Sequence, residues 1–417
     1  MNPDIRRIFL AQGLRALTYG FGSVLLGASL EAKGWSSTQV GALFTAIVAG
    51  SAVMSVLVGT FANRIGWRRF YTGLFLGLAA SGLVFGLSDQ FSILIVVALT
   101  GTLSTEVVES GPFTSLEQAM LPSGLENRAR TRMFGTYNAI ASLVGSIGAL
   151  AAGGPALVRH VLPSVPADQR FFLVFVPVGL VGAVVAASLS NAVEVPGEIA
   201  PRRLPLERSR GNVFRLAGLF AVDAFAGGFV IQSFIVYWFR LKYGMSIEEL
   251  GMLFFAVGLF QTASFLVAAR LAERVGLLNT MVFTHLPSNL LLAAVPLAPN
   301  LPVAITLLLS RFALSQMDVP TRQAYIAALV DPGERAAAAG YTNTARYVVR
   351  PLGPVLAGTS QQVALGLPFF LGGGIKVVYD LALWAWFRRV PIDRGKSADA
   401  SGMMASRIPK PVQEVEG

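Results

Sequence analysis

Long apolar runs recur along the whole chain, and the charged residues fall largely in the gaps between them. A helix needs about 20 consecutive apolar residues to cross the hydrocarbon core of a bilayer. Runs of this kind lie near 8–31, 38–60, 70–88, 92–113, 132–153, 170–190, 213–239, 248–269, 279–297, 301–320, 339–358 and 367–387. They predict an all-α membrane protein with about twelve transmembrane helices. Composition agrees: 13% of the 417 residues are charged, about half the share in a soluble domain. Alternating, strand-like segments are scarce, which argues against a β-barrel. Arg6 and Arg7 precede a first run that is longer than a signal-peptide core and has no A-x-A-like site, so it reads as a retained helix.

The basic residues occupy alternate gaps. One set holds Arg64, Arg68 and Arg69, then Arg128, Arg130 and Arg132, the cluster from Arg202 to Arg210, Arg270 and Arg274, Arg335, and Arg388 and Arg389. The other holds mainly Lys33, Arg159, Arg170 and Lys242. By the positive-inside rule the first set is cytoplasmic, which gives a multi-pass protein of the cell (cytoplasmic) membrane with both termini inside. The same rule accounts for the net charge of +10 without a nucleic-acid partner. The chain has no cysteine, and its two histidines, His160 and His285, are far apart in sequence, so no metal is expected. No G-x-x-x-x-G-K-[ST] loop occurs, which argues against ATP-driven pumping, and no cofactor is expected.

The second half repeats the first. An offset of 210 residues carries Gly34, Ser36, Gly41, Leu43, Phe44 and Ala46 onto Gly244, Ser246, Gly251, Leu253, Phe254 and Ala256. Ser36-x-x-Gln39 and Ser246-x-x-Glu249 are both capping boxes, so one helix start is specified twice. An offset of 205 carries Gln118, Arg130, Gly135, Asn138 and Gly148 onto Gln323, Arg335, Gly340, Asn343 and Gly353. The expected organisation is a first bundle at 1–190, a cytoplasmic linker at 191–211, a second bundle at 212–390 and a polar tail at 391–417.

Between the second and third runs, Gly59 to Arg69 reads GTFANRIGWRR, and Ala269 to Leu278 repeats it as ARLAERVGLL. This stretch resembles the loop signature of the major facilitator superfamily, G-x-L-A-D-R-x-G-R-K. Gly59, Ala62, Arg64 and Gly66 match it, while Asn63 stands for the Asp and Trp67 for an Arg. The resemblance implies the major facilitator fold, two pseudo-symmetric six-helix bundles with a site at the midplane between them. It also implies a cytoplasmic gate built from Gly59, Asn63, Arg64, Gly66 and Arg68 in one half and Glu273, Arg274 and Gly276 in the other. Asn63 removes a charge from that gate; Glu273 keeps one. Gly353-Pro354 with Gly358 matches part of the antiporter signature G-P-x-x-G-G, but on the eleventh run instead of the fifth, which argues against drug/proton antiport.

Ionisable residues inside membrane spans are costly and are functional candidates by default. The candidates for a substrate or proton pathway are Arg15, Glu106, Glu109, Asp223, Arg311 and Arg350. The family's cavity is lined mainly by spans 1, 4, 7 and 10, so the resemblance brings Arg15, Glu106, Asp223 and Arg311 near it. At 1.5 Å per residue, Asp223 and Arg311 each lie roughly 15 Å deep. Glu106 and Arg311 are repeat mates of opposite charge, which suggests a pairing across the halves that forms and breaks. Each candidate also has a structural reading. Arg15 can lock two helices by pairing with Glu106 or Glu109. Glu109 and Asp318 stand near helix ends. Lys376 and Asp380 are four apart and can satisfy each other. Arg346 can snorkel. His285 reads as a satisfied core histidine.

The expected activity is secondary active transport of a small organic solute by alternating access, coupled to protons, with efflux weighed slightly above uptake. The expected partners are that solute, protons and the lipid bilayer, and the expected state is a monomer. An uncoupled facilitator or an organic-anion exchanger of the same fold is the alternative. A membrane enzyme lacks a nucleophile–base or metal constellation here, and a transporter-like sensor lacks an output domain.

Overall fold

The computed structural model describes residues 3–104, 106–108, 111–121, 127–164, 168–194, 206, 209–330 and 334–390. The helices are α1 (Pro3–Ala32), α2 (Ser37–Ile65), α3 (Trp67–Leu87), α4 (Phe91–Ala98), α5 (Pro112–Met120), α6 (Asn127–Ala151), α7 (Gly154–Val161) and α8 (Phe175–Ala187) in the first half. The second half holds α9 (Arg210–Gly228), α10 (Gln232–Tyr243), α11 (Ile247–Val275), α12 (Leu277–Ala294), α13 (Leu301–Ser315), α14 (Asp318–Leu329), α15 (Arg335–Val349), α16 (Leu352–Val363) and α17 (Leu367–Phe387). Joined end to end across their breaks, these helices make the twelve expected crossings. Most of the linker and the whole tail after Val390 lie outside the described residues.

Burial is inverted relative to a water-soluble protein. Val96, Val184 and Val378 are 66%, 69% and 65% exposed, while Arg15 and Glu117 are fully buried. The apolar side chains face lipid and the charges face inward. Packing repeats between the halves: α1 lies on α6 and α3 on α8, as α9 lies on α15 and α12 on α17. The halves meet along α2 with α16 and α6 with α11, a matched pair of seams, and along α1 with α10.

Both capping boxes form as read. Ser36 accepts from the Gln39 amide and Ser246 from the Glu249 amide, and each glutamine or glutamate side chain accepts from the serine amide in return. The basic turns are one residue long. Gly66 and Gly276 take φ of +97° and +89°, a region closed to most side chains, and each joins two long helices. In the first half Glu194 anchors this turn, accepting from the Trp67 amide at 2.7 Å and the Arg68 amide at 3.1 Å at the start of α3.

The fourth crossing differs from the continuous helix expected at 92–113. It breaks after α4, is not helical in the described residues 99–104 and 106–108, and resumes as α5 from Pro112 to Met120. Gly101 and Gly111 sit at positive φ, and Pro112 can begin a helix but not continue one. Non-helical backbone at membrane depth survives only where protein or a cavity surrounds it. Here Tyr19 donates to the Thr102 carbonyl at 2.7 Å and Arg15 to the Val107 carbonyl at 3.3 Å. The eleventh crossing also breaks, at Arg350–Pro351, and Thr45 of the other half bridges the break, donating to the Pro351 carbonyl and accepting from the Val355 amide.

Small residues let α1 and α6 touch backbone to backbone: a Cβ added at Gly148 would lie 2.1 Å from the Leu17 carbonyl oxygen. Gly148→Val is therefore expected to destabilise the first half by roughly 2 kcal/mol or more, the cost of overpacking a tight contact. A melting curve in detergent that overlays wild type would contradict this packing.

Candidate functional site

A cavity opens between the halves, enclosing about 930 Å³ of empty space, part of it open solvent. Its lining is rich in charged side chains. The first half contributes the unwound segment 106–108; the second contributes α9, the start of α10, α11, α12, α13, α14, α15 and α17. The break in the fourth crossing thus aims Glu106 at this space.

Two groups of charge meet there. In the second half, Asp223 on α9 holds a salt bridge with Lys376 on α17, lies 3.6 Å from Arg322 Nη1 and 3.9 Å from His285 Nε2. His285 Nδ1 is 2.8 Å from Asp380 Oδ1, and Asn289 donates to the other Asp380 oxygen, also at 2.8 Å. Arg322 donates to Asp318 at 3.0 Å, one helical turn back on α14. Short hydrogen-bonded groups are thus joined through the longer contacts of Asp223 into one charge network across α9, α12, α14 and α17. At the seam between the halves, Glu106 forms an ion pair with Arg350.

Of the six expected pathway residues, Glu106, Asp223, Arg311 and Arg350 line the cavity. Glu109 lies outside the described residues. Arg15 does not line it. Its guanidinium is fully buried within the first half, donating to Glu117 from Nε at 3.0 Å and from Nη2 at 2.9 Å. Among the described residues its carboxylate partner is Glu117 and not Glu106, because α5 carries Glu117 back into the bundle beyond the expected end of the span; the expected pairing with Glu109 falls outside the described residues. Lys376 and Asp380 do not pair with each other either; Asp223 takes the lysine, and His285 with Asn289 takes the aspartate. Glu106 and Arg311 share the cavity, but Arg350 is the residue that pairs with Glu106.

Sequence reasoning missed Glu117, Arg322, Asn289 and Glu194. The first two fell beyond the ends drawn for spans 4 and 10. The repeat held a signal for them: the offset of 205 that carries Glu106 onto Arg311 also carries Glu117 onto Arg322.

The gate residues sit at the end of the bundle where α1 begins and α17 stops. Gly59, Asn63, Arg64, Glu273 and Arg274 are exposed. Asn63 accepts from the Trp67 indole at 2.5 Å and Arg68 donates to the Leu189 carbonyl at 3.2 Å, both contacts within the first half. The opposite end is fastened across the halves. Arg240 Nε lies 2.7 Å from Glu31 Oε2, Tyr237 donates to the Trp35 carbonyl at 3.1 Å, and Gln232 to Ser23 at 2.7 Å.

The family model "Major Facilitator Superfamily" matches residues 8–354 and 216–414. An uncharacterized membrane protein of Saccharomyces cerevisiae (strain ATCC 204508 / S288c), YJR124C, is 26% identical over 93% of this chain and 94% of its own. Among solved structures, a mutant form of the nucleoside transporter NupG superposes with a TM-score of 0.69 at 13% identity, over 92% of this chain and all of its own. The human organic anion transporter MFSD10 (TETRAN) gives 0.64 at 17% identity, over 92% of this chain and 100% of its own. A bacterial homolog of the human lysosomal transporter Spinster, inward-facing and unoccupied, gives 0.64 at 16% identity, over 92% of this chain and 96% of its own. At these identities the likeness is one of fold.

Proposed function

The chain belongs to the major facilitator superfamily and is a membrane transporter, not an enzyme, and from that premise we propose that it moves a small organic solute through the cavity between its halves, by alternating access and with proton coupling. The relatives are named for different solutes, so the fold alone does not choose one. The observation that carries the proposal is the Glu106–Arg350 pair, which spans the two halves inside the cavity. Rocking of the halves separates that pair. A carboxylate stripped of its counter-ion in a poorly solvated cavity binds a proton more readily. Proton uptake at Glu106 would then follow the opening of the seam, and re-pairing would expel it. Asp223 would behave likewise when Lys376 withdraws.

We take both termini to face the cytoplasm of a cell membrane, because the arginine clusters lie at their end. The fastened end is then the external one, and the conformation is inward-facing. The Glu31–Arg240 pair acts as an external latch. Both side chains are about a quarter exposed, so the pair contributes no more than about 1 kcal/mol, roughly a fivefold shift in the conformational balance. Glu31→Gln is expected to raise external access to the cavity by up to that factor. The chain has no cysteine, so a single cysteine introduced at Val230 and a membrane-impermeant maleimide read this directly. Unchanged external labelling would remove the latch.

Proteoliposomes under an imposed pH gradient test the whole reading. Gradient-dependent accumulation of solute with matching proton flux is expected. Solute flux that ignores the gradient, with no proton movement, would establish the uncoupled facilitator instead.

A further inference from the structure

The cavity's charges are unevenly satisfied. Lys376 meets Asp223, Arg322 meets Asp318, and Arg350 meets Glu106. Arg311 meets none of these. It is 8% exposed, it makes no hydrogen bond or ion pair among the described residues, and its Nε and Nη1 are sealed from solvent without an acceptor. Its guanidinium carbon lies 4.5 Å from the ring centroid of Phe312. A cation–π contact of that kind offsets only part of the cost of burying a charge without a counter-ion. The repeat mate that could have neutralised it, Glu106, is already taken by Arg350.

We propose that the solute is a small organic anion whose carboxylate or phosphate group is received by Arg311. The inference rests on the transporter reading of the same cavity. Among the described lining residues, Arg311, Arg322, Arg346, Arg350 and Lys376 stand against the carboxylates of Glu106, Asp223 and Asp318, an excess of positive charge. A cationic solute would meet that excess, and a neutral one would leave the guanidinium unanswered. An anion answers both, since a planar guanidinium grips carboxylate or phosphate through paired N–H donors. The amide of Gln261, also in the lining, can bind the uncharged part of such a molecule. The ring of Phe312 beside the guanidinium favours a solute with an apolar portion next to its charged group.

The test uses the full chain in proteoliposomes with labelled benzoate and benzyl phosphate, beside benzyl alcohol and benzylamine as the neutral and cationic members of matched size. Wild type is expected to transport one or both anions and neither control; which anion moves separates carboxylate from phosphate. Arg311→Gln is expected to lose transport at least tenfold, and Arg311→Lys to keep an intermediate rate. Because the charge has no counter-ion among the described residues, Arg311→Met is expected to melt no lower than wild type without solute, and the transported anion to stabilise wild type but not this variant. Transport of the alcohol or amine alone, or anion transport unaffected in Arg311→Gln, would overturn the anion assignment and leave the transporter reading intact. Failure of every member to cross would count against both.

Discussion

Replacing Asp223 by asparagine is expected to abolish gradient-driven accumulation of the solute and to lower the melting temperature; adding Lys376→Met to the same chain is expected to restore only the second. Asp223 is 4% exposed and faces Lys376, Arg322 and His285 at once. Removing one member of a buried pair costs about 3–5 kcal/mol, mostly because the partner is left charged and unanswered, whereas removing both is often neutral. Arg322 keeps Asp318 as a partner, so Lys376 bears most of the loss. Transport responds differently. Asparagine keeps the shape of the side chain but cannot take up and release a proton, and methionine at 376 does not bring that back. Melting curves in detergent and uptake under a pH gradient separate the two effects. Undiminished uptake by Asp223→Asn would take this residue out of the coupling route. Equal melting of the single and double variants would mean that Lys376 is not held by Asp223.

The parts of this fold that depend on neighbours in sequence could be read from the sequence. The two capping boxes and the turns at Gly66 and Gly276 each need only a handful of consecutive residues, and they recur in register. Hydropathy located the crossings because lipid imposes the same demand on each of them. Hydropathy does not see whether a crossing is continuous, however. The apolar run at 92–113 reads as one helix, yet it breaks after Ala98. That break moved Glu106 off a helix and carried Glu117 into the bundle. The ion pairs were hidden for a different reason. Lys376 and Asp380 are spaced to meet on α17, but Asp223 and His285 approach from α9 and α12 and hold them separately. Choosing among four nearby charges needs positions in space. The sequence could nominate Arg311 as a buried charge, but only the structure leaves it without an acceptor.

Glu117→Ala is expected to cost as much stability as any single substitution in the chain. The Glu117 carboxylate accepts from Arg15 Nε and Nη2, from the Tyr71 hydroxyl at 2.7 Å and from the Tyr137 hydroxyl, all on side chains with no exposure. Alanine would strand a guanidinium and two phenols in a dry interior. The charge alone costs about 3–5 kcal/mol, and each orphaned hydroxyl adds about 1–3 kcal/mol. Against a total stability of roughly 5–15 kcal/mol, that is enough to prevent accumulation of folded protein. Glu117→Gln, which keeps an acceptor oxygen for the tyrosines, is expected to fall between. The informative variant is Arg15→Met with Glu117→Met, which removes the charge from both sides and is expected to recover part of the melting temperature, since the Tyr71 and Tyr137 hydroxyls still lack an acceptor. The donation from Arg15 to the Val107 carbonyl beside Glu106 is lost in it as well. If Arg15 serves only to support that segment, transport by the double variant falls by no more than about tenfold, the equivalent of roughly 1.4 kcal/mol for one displaced hydrogen bond. A double variant that folds and does not transport would return Arg15 to the solute or proton route, even though it lies behind the cavity wall.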